Sequence, residues 1–225
     1  MHSKKIAPSV MCAPLLNVES CLQELEASGA DLLHIDVMDG SFVSNYTLGT
    51  DFIRQLKERA KLPLDIHLMI NDPIRYINDF IKAGADLITF HLESCQDPRK
   101  VIREIREREI RCGIAISPAT PVDLVLPYLE EVDMVLIMTV VPGFGGQAMI
   151  PSCLDKVRFL RRYADRRGLT IDIEVDGGIK EDNIALATEA GANVIVAGSA
   201  IFGSKKPRSV IEGMRKAAAE HPFRG

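Results

Sequence analysis

No stretch of the chain approaches the roughly 20 consecutive apolar residues that a membrane-spanning helix needs. The basic pair Lys4-Lys5 is not followed by a long apolar segment, so no secretory leader is expected. Disulfide architecture is also missing. The five cysteines, Cys12, Cys21, Cys95, Cys112 and Cys153, are odd in number and form no C-x-x-C pair. That pattern fits a reducing compartment, and a cytoplasmic protein is expected. A net charge of −4 leaves no general basic surface for nucleic acid. Arg158, Arg161, Arg162, Arg166 and Arg167 read as the solvated face and end of a helix, with a local anion-binding patch as the alternative. No Pro/Ser/Gly-rich linker interrupts the chain, so residues 1–225 are expected to form one domain, a length that suits a single barrel. His2 and His221 are terminal and carry no functional signal.

What the chain does have is alternation. Eight short apolar runs centre on residues 6–10, 32–37, 64–69, 87–91, 112–116, 134–140, 171–175 and 194–197. Several are apolar almost throughout, as strands covered on both faces should be. Helical patterns lie between them, near residues 18–28, 51–60, 73–83, 98–109, 121–131, 151–167, 181–190 and 207–219. Five of these open with proline, which the first helical turn tolerates. Ser28-Gly29-Ala30-Asp31, Ala83-Gly84-Ala85-Asp86 and Ala190-Gly191-Ala192-Asn193 are one turn used three times: a helix end, a glycine stop, then a strand. Eight β/α units in this length imply a (β/α)8 TIM barrel, with a doubly wound open sheet as the alternative.

Polar residues gather where the strands should end. His34 and Asp36 sit two apart and so share a strand face, while Ile35 and Val37 point toward the helices. His67 ends the next strand and Asp176 the seventh. In a parallel barrel these ends open on one mouth, which brings together two imidazoles and two carboxylates. That set suits one divalent metal ion, zinc first, with iron, manganese or cobalt as alternatives. A single histidine at such a place is more often a hydrogen-bonded core residue; four candidate ligands at strand ends favour a metal. His91 also ends a strand, as a fifth ligand or a supporting residue, and Asp65 and Glu174 share faces with His67 and Asp176.

Glycines cluster after the late strands: Gly143, Gly145 and Gly146 around Phe144, then Gly177-Gly178, then Gly198-Ser199 with a helical pattern later. Loops of this kind let backbone N–H groups close on a phosphate. The loop around Phe144 reads either as a lid or as an ordinary turn. Met38, Met69 and Met138 fall at the mouth, either as plain packing or as a soft lining that keeps water from a reactive enediolate.

Ile6-Ala7-Pro8-Ser9, His34 to Gly40, His67-Leu68-Met69, Pro142 to Gln147, Glu174 to Ile179 and Gly198-Ser199-Ala200-Ile201-Phe202 together resemble the ribulose-phosphate 3-epimerase family. The resemblance implies a TIM barrel interconverting D-ribulose 5-phosphate and D-xylulose 5-phosphate through a metal-stabilised cis-enediolate. It implies metal ligands at His34, Asp36, His67 and Asp176, with Asp36 and Asp176 as paired acid and base. Ser9, His67, Gly143, Phe144, Gly145, Gly146, Gly177, Gly178, Gly198 and Ser199 would contact the ketose phosphate, and a homo-oligomer is expected. Ser44 stands where the family usually has proline, and Val141 where it has asparagine. Ser9-Val10-Met11-Cys12 is closer to the related D-allulose-6-phosphate 3-epimerases, so a hexose phosphate is the alternative substrate.

Two other classes compete. A Schiff-base aldolase needs a lysine at an inner strand end, and none is expected there; a decarboxylase would not need aspartates on opposite faces of its substrate. A non-catalytic phosphosugar-binding barrel would have no use for the intact ligand set.

Overall fold

A computed structural model describes residues 3–224; His2 and the outermost positions of the expected 1–225 domain lie outside the described residues. The chain forms β1 (Lys5–Pro8), β2 (Leu33–Met38), β3 (Leu64–Met69), β4 (Leu87–His91), β5 (Arg111–Ile116), β6 (Met134–Met138), β7 (Asp172–Asp176) and β8 (Val194–Ala197). All pair in parallel in the order β1-β8-β7-β6-β5-β4-β3-β2. The remaining seam, β1 to β2, is joined by a single parallel bridge from Ser9 to His34. The result is a single-domain (β/α)8 barrel, as the alternation predicts, and not an open doubly wound sheet.

The helices are α1 (Val18–Ala27), α2 (Thr50–Arg59), α3 (Ile77–Ala83), α4 (Pro98–Arg106), α5 (Cys153–Arg167), α6 (Ile184–Ala190), α7 (Ser199–Phe202) and α8 (Pro207–Glu220). Three departures from the sequence pattern have local causes. The expected helix at 121–131 is a 3-10 segment, Val122–Tyr128, because Pro127 inside it can supply no backbone donor. The helix expected from Pro73 splits into a 3-10 turn, Pro73–Arg75, and α3, with Asp72 before it in the left-handed region at φ 52°. The helical turn after β8 begins at once, at Ser199, rather than later.

Strand alternation divides the core. Ile35, Val37, Ile66, Leu68, Ile88, Phe90, Ile114, Val135, Ile173 and Ile195 face outward into the main hydrophobic cluster beneath the helices. Inward positions are polar on one part of the wall and apolar on the rest. His34, Asp36, Asp65, His67, Thr89, His91 and Glu174 are buried polar residues, whereas β5, β6 and β8 contribute Ala115, Leu136 and Met138, then Val194 and Val196.

The repeated αβ turn has a structural purpose. Gly84 and Gly191 cap α3 and α6 at φ 106° and 113°, where a side chain would be strained. The acidic or amide residue two positions on then accepts from the first backbone N–H groups of the preceding strand. Asp31 accepts from Ile6 N (2.8 Å), Asp86 from Leu64 N (2.7 Å) and Asn193 from Ile173 N (2.8 Å). Asp133 does the same for Cys112 N (2.8 Å) without the glycine turn, so it escapes the sequence repeat. Every odd strand is thus pinned to its successor at the N-terminal end of the barrel.

The arginine run needs one correction. Arg161 is not solvated: it is 2% exposed, and its guanidinium donates to Gly191 O (3.0 Å) and Asn193 Oδ1 (2.8 Å), bracing the β8 turn. Arg162, Arg166 and Arg167 are exposed as expected.

Candidate active site

Parallel strands place all their C-terminal ends on one face. β2 brings His34 and Asp36 inward, β3 brings His67 and β7 brings Asp176. Register sets His34 beside Asp65 and Asp36 beside His67. One ligand atom from each of His34, Asp36, His67 and Asp176 lies within 4.8 Å of the other three. His34 Nε2 is 3.5 Å from Asp36 Oδ1 and 3.3 Å from His67 Nδ1, and His67 Nδ1 is 3.2 Å from Asp36 Oδ1. Asp176 Oδ2 stands 4.0 Å from both imidazoles. Four atoms held tetrahedrally at about 2.1 Å from one ion would be about 3.4 Å apart, so these spacings fit a small divalent cation.

The far nitrogens of the two imidazoles are also engaged. His34 Nδ1 faces Asp65 Oδ2 at 2.7 Å, with Glu174 Oε1 at 3.6 Å. His67 Nε2 faces His91 Nε2 at 2.9 Å, and His91 Nδ1 faces Glu93 Oε2 at 3.1 Å. His91 therefore lies behind His67 and outside the four-residue cluster. Glu93 was not singled out from the sequence. The spacing His91-Leu92-Glu93 at a strand end is the signal that points to it.

The environment drives the two aspartates apart. Burial raises a carboxyl, but His34 and His67 outweigh it at Asp36 and hold it below the usual carboxylate range. Asp176 lacks those hydrogen bonds; burial and the Asp36 charge push it up to about 7. At His34 burial favours the neutral ring, yet the Asp65 and Asp36 carboxylates prevail and hold its pKa well above the ordinary imidazole value. Burial takes His67 down to about 4. Burial, then the Asp65 charge, hold Glu174 well above an ordinary carboxyl. Glu93 moves the other way: burial raises it, but the hydrogen bond from His91 and those from Thr120 and Ser117 bring it down to about 2.

Above the cluster a cavity opens at the barrel mouth. Ser9, Asp36, Asp176, Met38, Met69 and Met138 line its floor, and the loops at Gly143–Gly146, Gly177-Gly178 and Gly198-Ser199 line its walls. His34 and His67 are fully buried below it and do not form its surface. Met11, Cys12, Val140 and Gln147 line it as well, and no lysine does. Met38 and Met69 pack with Val43, Met11 and Phe42, whereas Met138 packs with Ala115, Leu136 and Val140. Thr139 fixes the β7 end by donating its hydroxyl to Asp176 O and Gly177 O at 2.9 and 2.6 Å. The Phe144 loop is tied to the β2 loop through Asn45 Nδ2, which donates to Gly143 O at 2.7 Å. Ser44 and Val141 are both exposed, Val141 at 62%.

A parallel barrel with carboxyl and imidazole groups crowded at its C-terminal mouth has the form of a (β/α)8 barrel enzyme. Sequence comparison narrows the class. The model of the Ribulose-phosphate 3 epimerase family matches residues 5–202. The ribulose-phosphate 3-epimerase of Bacillus subtilis (strain 168) is 42% identical over 212 residues, covering 94% of this chain and 98% of its own. The ribulose-phosphate 3-epimerase, cytoplasmic isoform, of Oryza sativa subsp. japonica is 44% identical over 216 residues, covering 94% of this chain and 93% of its own. The chain belongs to the ribulose-phosphate 3-epimerase family and is an isomerase. Among solved structures, the 3-hexulose-6-phosphate synthase of Salmonella typhimurium superposes with a TM-score of 0.72 at 20% identity, covering 96% of this chain and 99% of its own. At that identity the likeness concerns the fold alone.

Proposed function

We propose that the protein interconverts D-ribulose 5-phosphate and D-xylulose 5-phosphate by inverting C3, and that the whole chain, 1–225, is one epimerase domain. The observation that carries this reading is the pair Asp36 and Asp176. They reach the same cluster from β2 and β7, one held ionised and the other pushed up to about 7. Two carboxyl groups whose environments separate them in this way are equipped to act as base and acid at one pH. The C3–H is acidic because it adjoins the C2 carbonyl. Ionised Asp36 takes a C3 proton from one face of the substrate, giving a planar cis-enediolate, and protonated Asp176 returns one to the opposite face. For the other epimer the roles exchange. Inversion requires groups on both faces, since a single base tends to return the proton to the side it left.

His34 Nε2, Asp36, His67 Nδ1 and Asp176 would hold one divalent ion, and the spacing and N2O2 donor set favour zinc, with iron, manganese and cobalt also accepted. When bound, the ion supplies Lewis-acid stabilisation of the negative charge that develops on the substrate oxygens. Met38, Met69 and Met138 offer no hydrogen-bond donor and keep the floor dry around the enediolate. Ser9, Gly143, Phe144, Gly145 and Gly146 contact the sugar from the mouth, with His67 behind it. Gly177, Gly178, Gly198 and Ser199 take the phosphate with backbone N–H groups, and the Phe144 loop covers the bound ketose. A homo-oligomer in the cytoplasm completes the reading. Among the described residues no helix is long and apolar enough to cross a membrane, and the rice relative is named a cytoplasmic isoform.

One feature supports a second substrate. Met11 and Cys12, the residues that resemble the D-allulose-6-phosphate enzymes, both line the cavity, so conversion of D-allulose 6-phosphate to D-fructose 6-phosphate is the alternative. Side-by-side turnover of D-ribulose 5-phosphate and D-allulose 6-phosphate in deuterated water decides between them. The expected result is faster turnover of the pentose, with deuterium entering at C3. Faster turnover of the hexose reverses the assignment, and carbon dioxide release without C3 exchange ends the epimerase reading.

A further inference from the structure

His67 has two nitrogens with different neighbours. Nδ1 faces the cation-sized cluster, 3.2 Å from Asp36 Oδ1 and 3.3 Å from His34 Nε2. Nε2 faces His91 Nε2 at 2.9 Å, and both rings are fully buried. A nitrogen–nitrogen contact this short holds one proton between its partners. A metal ligand must present a lone pair, so a ligating Nδ1 requires that the proton sit on His67 Nε2. His91 Nε2 must then accept, which leaves the His91 proton on Nδ1. That proton needs an acceptor, and Glu93 Oε2 stands 3.1 Å away.

The same assignment follows from the other end of the chain of contacts. An ionised carboxylate only accepts hydrogen bonds, so it forbids a lone pair on the facing nitrogen of His91. Glu93 is itself held in place. Its second oxygen accepts from Ser117 N at 2.7 Å and from the Thr120 hydroxyl. Lys156 braces that loop by donating to the carbonyls of Ser117, Pro118 and Thr120 at 3.1, 2.7 and 2.7 Å. Glu93, which does not line the cavity, thereby bears on where the proton lies on His67.

We propose that Glu93, acting through His91, sets the tautomer of His67 and so aims the Nδ1 lone pair at the cation site. The inference rests on the reading of His67 as a ligand. It makes Glu93 and His91 positioning residues. The two imidazoles of the cluster are then backed alike: His34 by a carboxylate directly, through Asp65, and His67 by a carboxylate one imidazole removed.

The test is long-range 1H–15N NMR of the histidine rings in 15N-labelled protein, metal-free and zinc-loaded, together with zinc affinity by chelator competition. In the unsubstituted protein His91 is expected as the Nδ1–H tautomer in both states, and His67 as Nε2–H. In metal-free Glu93→Leu the His91 signals should shift toward a tautomer mixture, and the zinc dissociation constant should rise about ten-fold, the lower end of the usual effect of residues behind a ligand. Glu93→Gln keeps an acceptor oxygen and should recover most of both. Finding His91 as Nε2–H in the unsubstituted protein overturns the proposal, even if Glu93→Leu fails to fold. So does a Glu93→Leu protein with unchanged tautomers and unchanged affinity. If the unsubstituted protein binds no zinc at this cluster, the ligand reading fails, while the His91 tautomer in metal-free protein still decides whether Glu93 sets it.

Discussion

Ser9 Oγ donates to Asp36 Oδ2 at 2.6 Å across the β1–β2 seam, where a single bridge joins the two strands. The strand that closes the barrel thus reaches the proposed base directly. Ser9 is 4% exposed and Asp36 2% exposed, so water does not compete strongly for this bond.

Ser9→Ala should lower kcat by about ten-fold, the low end of what a hydrogen bond to a charged group contributes. The pH profile gives the sign. A donor stabilises the ionised carboxylate, so its removal raises the Asp36 pKa and moves the acidic limb of kcat/KM to higher pH. A loss of rate with an unmoved limb would assign Ser9 to packing alone.

Asp36→Asn and Asp176→Asn should each lose at least about 100-fold in turnover, the lower bound for a general acid–base group. Bound metal is measured in both, because each residue is also a proposed ligand. A variant that keeps one carboxyl should still exchange C3 deuterium on one epimer in preference to the other. Near-normal epimerisation by either variant with metal in place would remove the two-base mechanism.

Stripping the protein with a chelator should abolish turnover, and zinc, iron, manganese or cobalt should restore it. Protons compete with the ion, because the Asp65 and Asp36 carboxylates hold His34 protonated above its ordinary range. Affinity should therefore weaken on acidification, and about one proton or more should be released for each zinc bound near neutral pH. Metal-free stability carries a matching sign. Asp176 binds a proton more tightly folded than unfolded, so its contribution to stability declines as pH rises from the model-compound value of 3.8 to about 7. A bound cation replaces the proton at His34 Nε2 and so binds more tightly as pH rises. The melting-temperature gap between loaded and stripped protein should widen between pH 5 and pH 8; a constant gap would place the ion elsewhere.

Gly178 sits at φ +68°, and a Cβ there would stand 2.3 Å from Met149 N and 2.7 Å from Gln147 O. Gly146 has a similar φ of +78° with nothing within 4 Å of a Cβ. Gly146→Ala should cost only the conformational part, about 1–2 kcal/mol. Gly178→Ala adds a collision with backbone that has no side-chain freedom to relieve it. It should melt at a lower temperature than Gly146→Ala and raise KM for the ketose phosphate. Equal melting temperatures would show that the 147–149 segment yields.

Much of the site was legible because it is written in strand period. His34 and Asp36 are two apart, and so are Asp65 and His67, and Glu174 and Asp176. Each pair had to face the same way, and the outward Ile35, Ile66 and Val175 had to face the other. The turn repeat was legible for Gly29, Gly84 and Gly191. The fourth pin, Asp133, was not, because no glycine precedes it and only its bond to Cys112 N reveals it. Arg161 looked solvated among its neighbours on α5, since helix periodicity says nothing of a carbonyl supplied by Gly191 from another unit.

By itself, the sequence determined which residues turn inward, where strands stop, and which chemical groups each stop would carry, because these follow from local backbone geometry and from the side chains. The closure of the barrel decided everything that depends on distance between separate strands. It set Asp176 of β7 4.0 Å from His34 and His67, joined Ser9 to Asp36, and stacked His91 and Glu93 behind His67. The electrostatic difference between Asp36 and Asp176 arises from those neighbours. Two aspartates of identical intrinsic acidity come to hold a proton differently only because the folded barrel hydrogen-bonds one of them to imidazole and leaves the other buried beside a carboxylate.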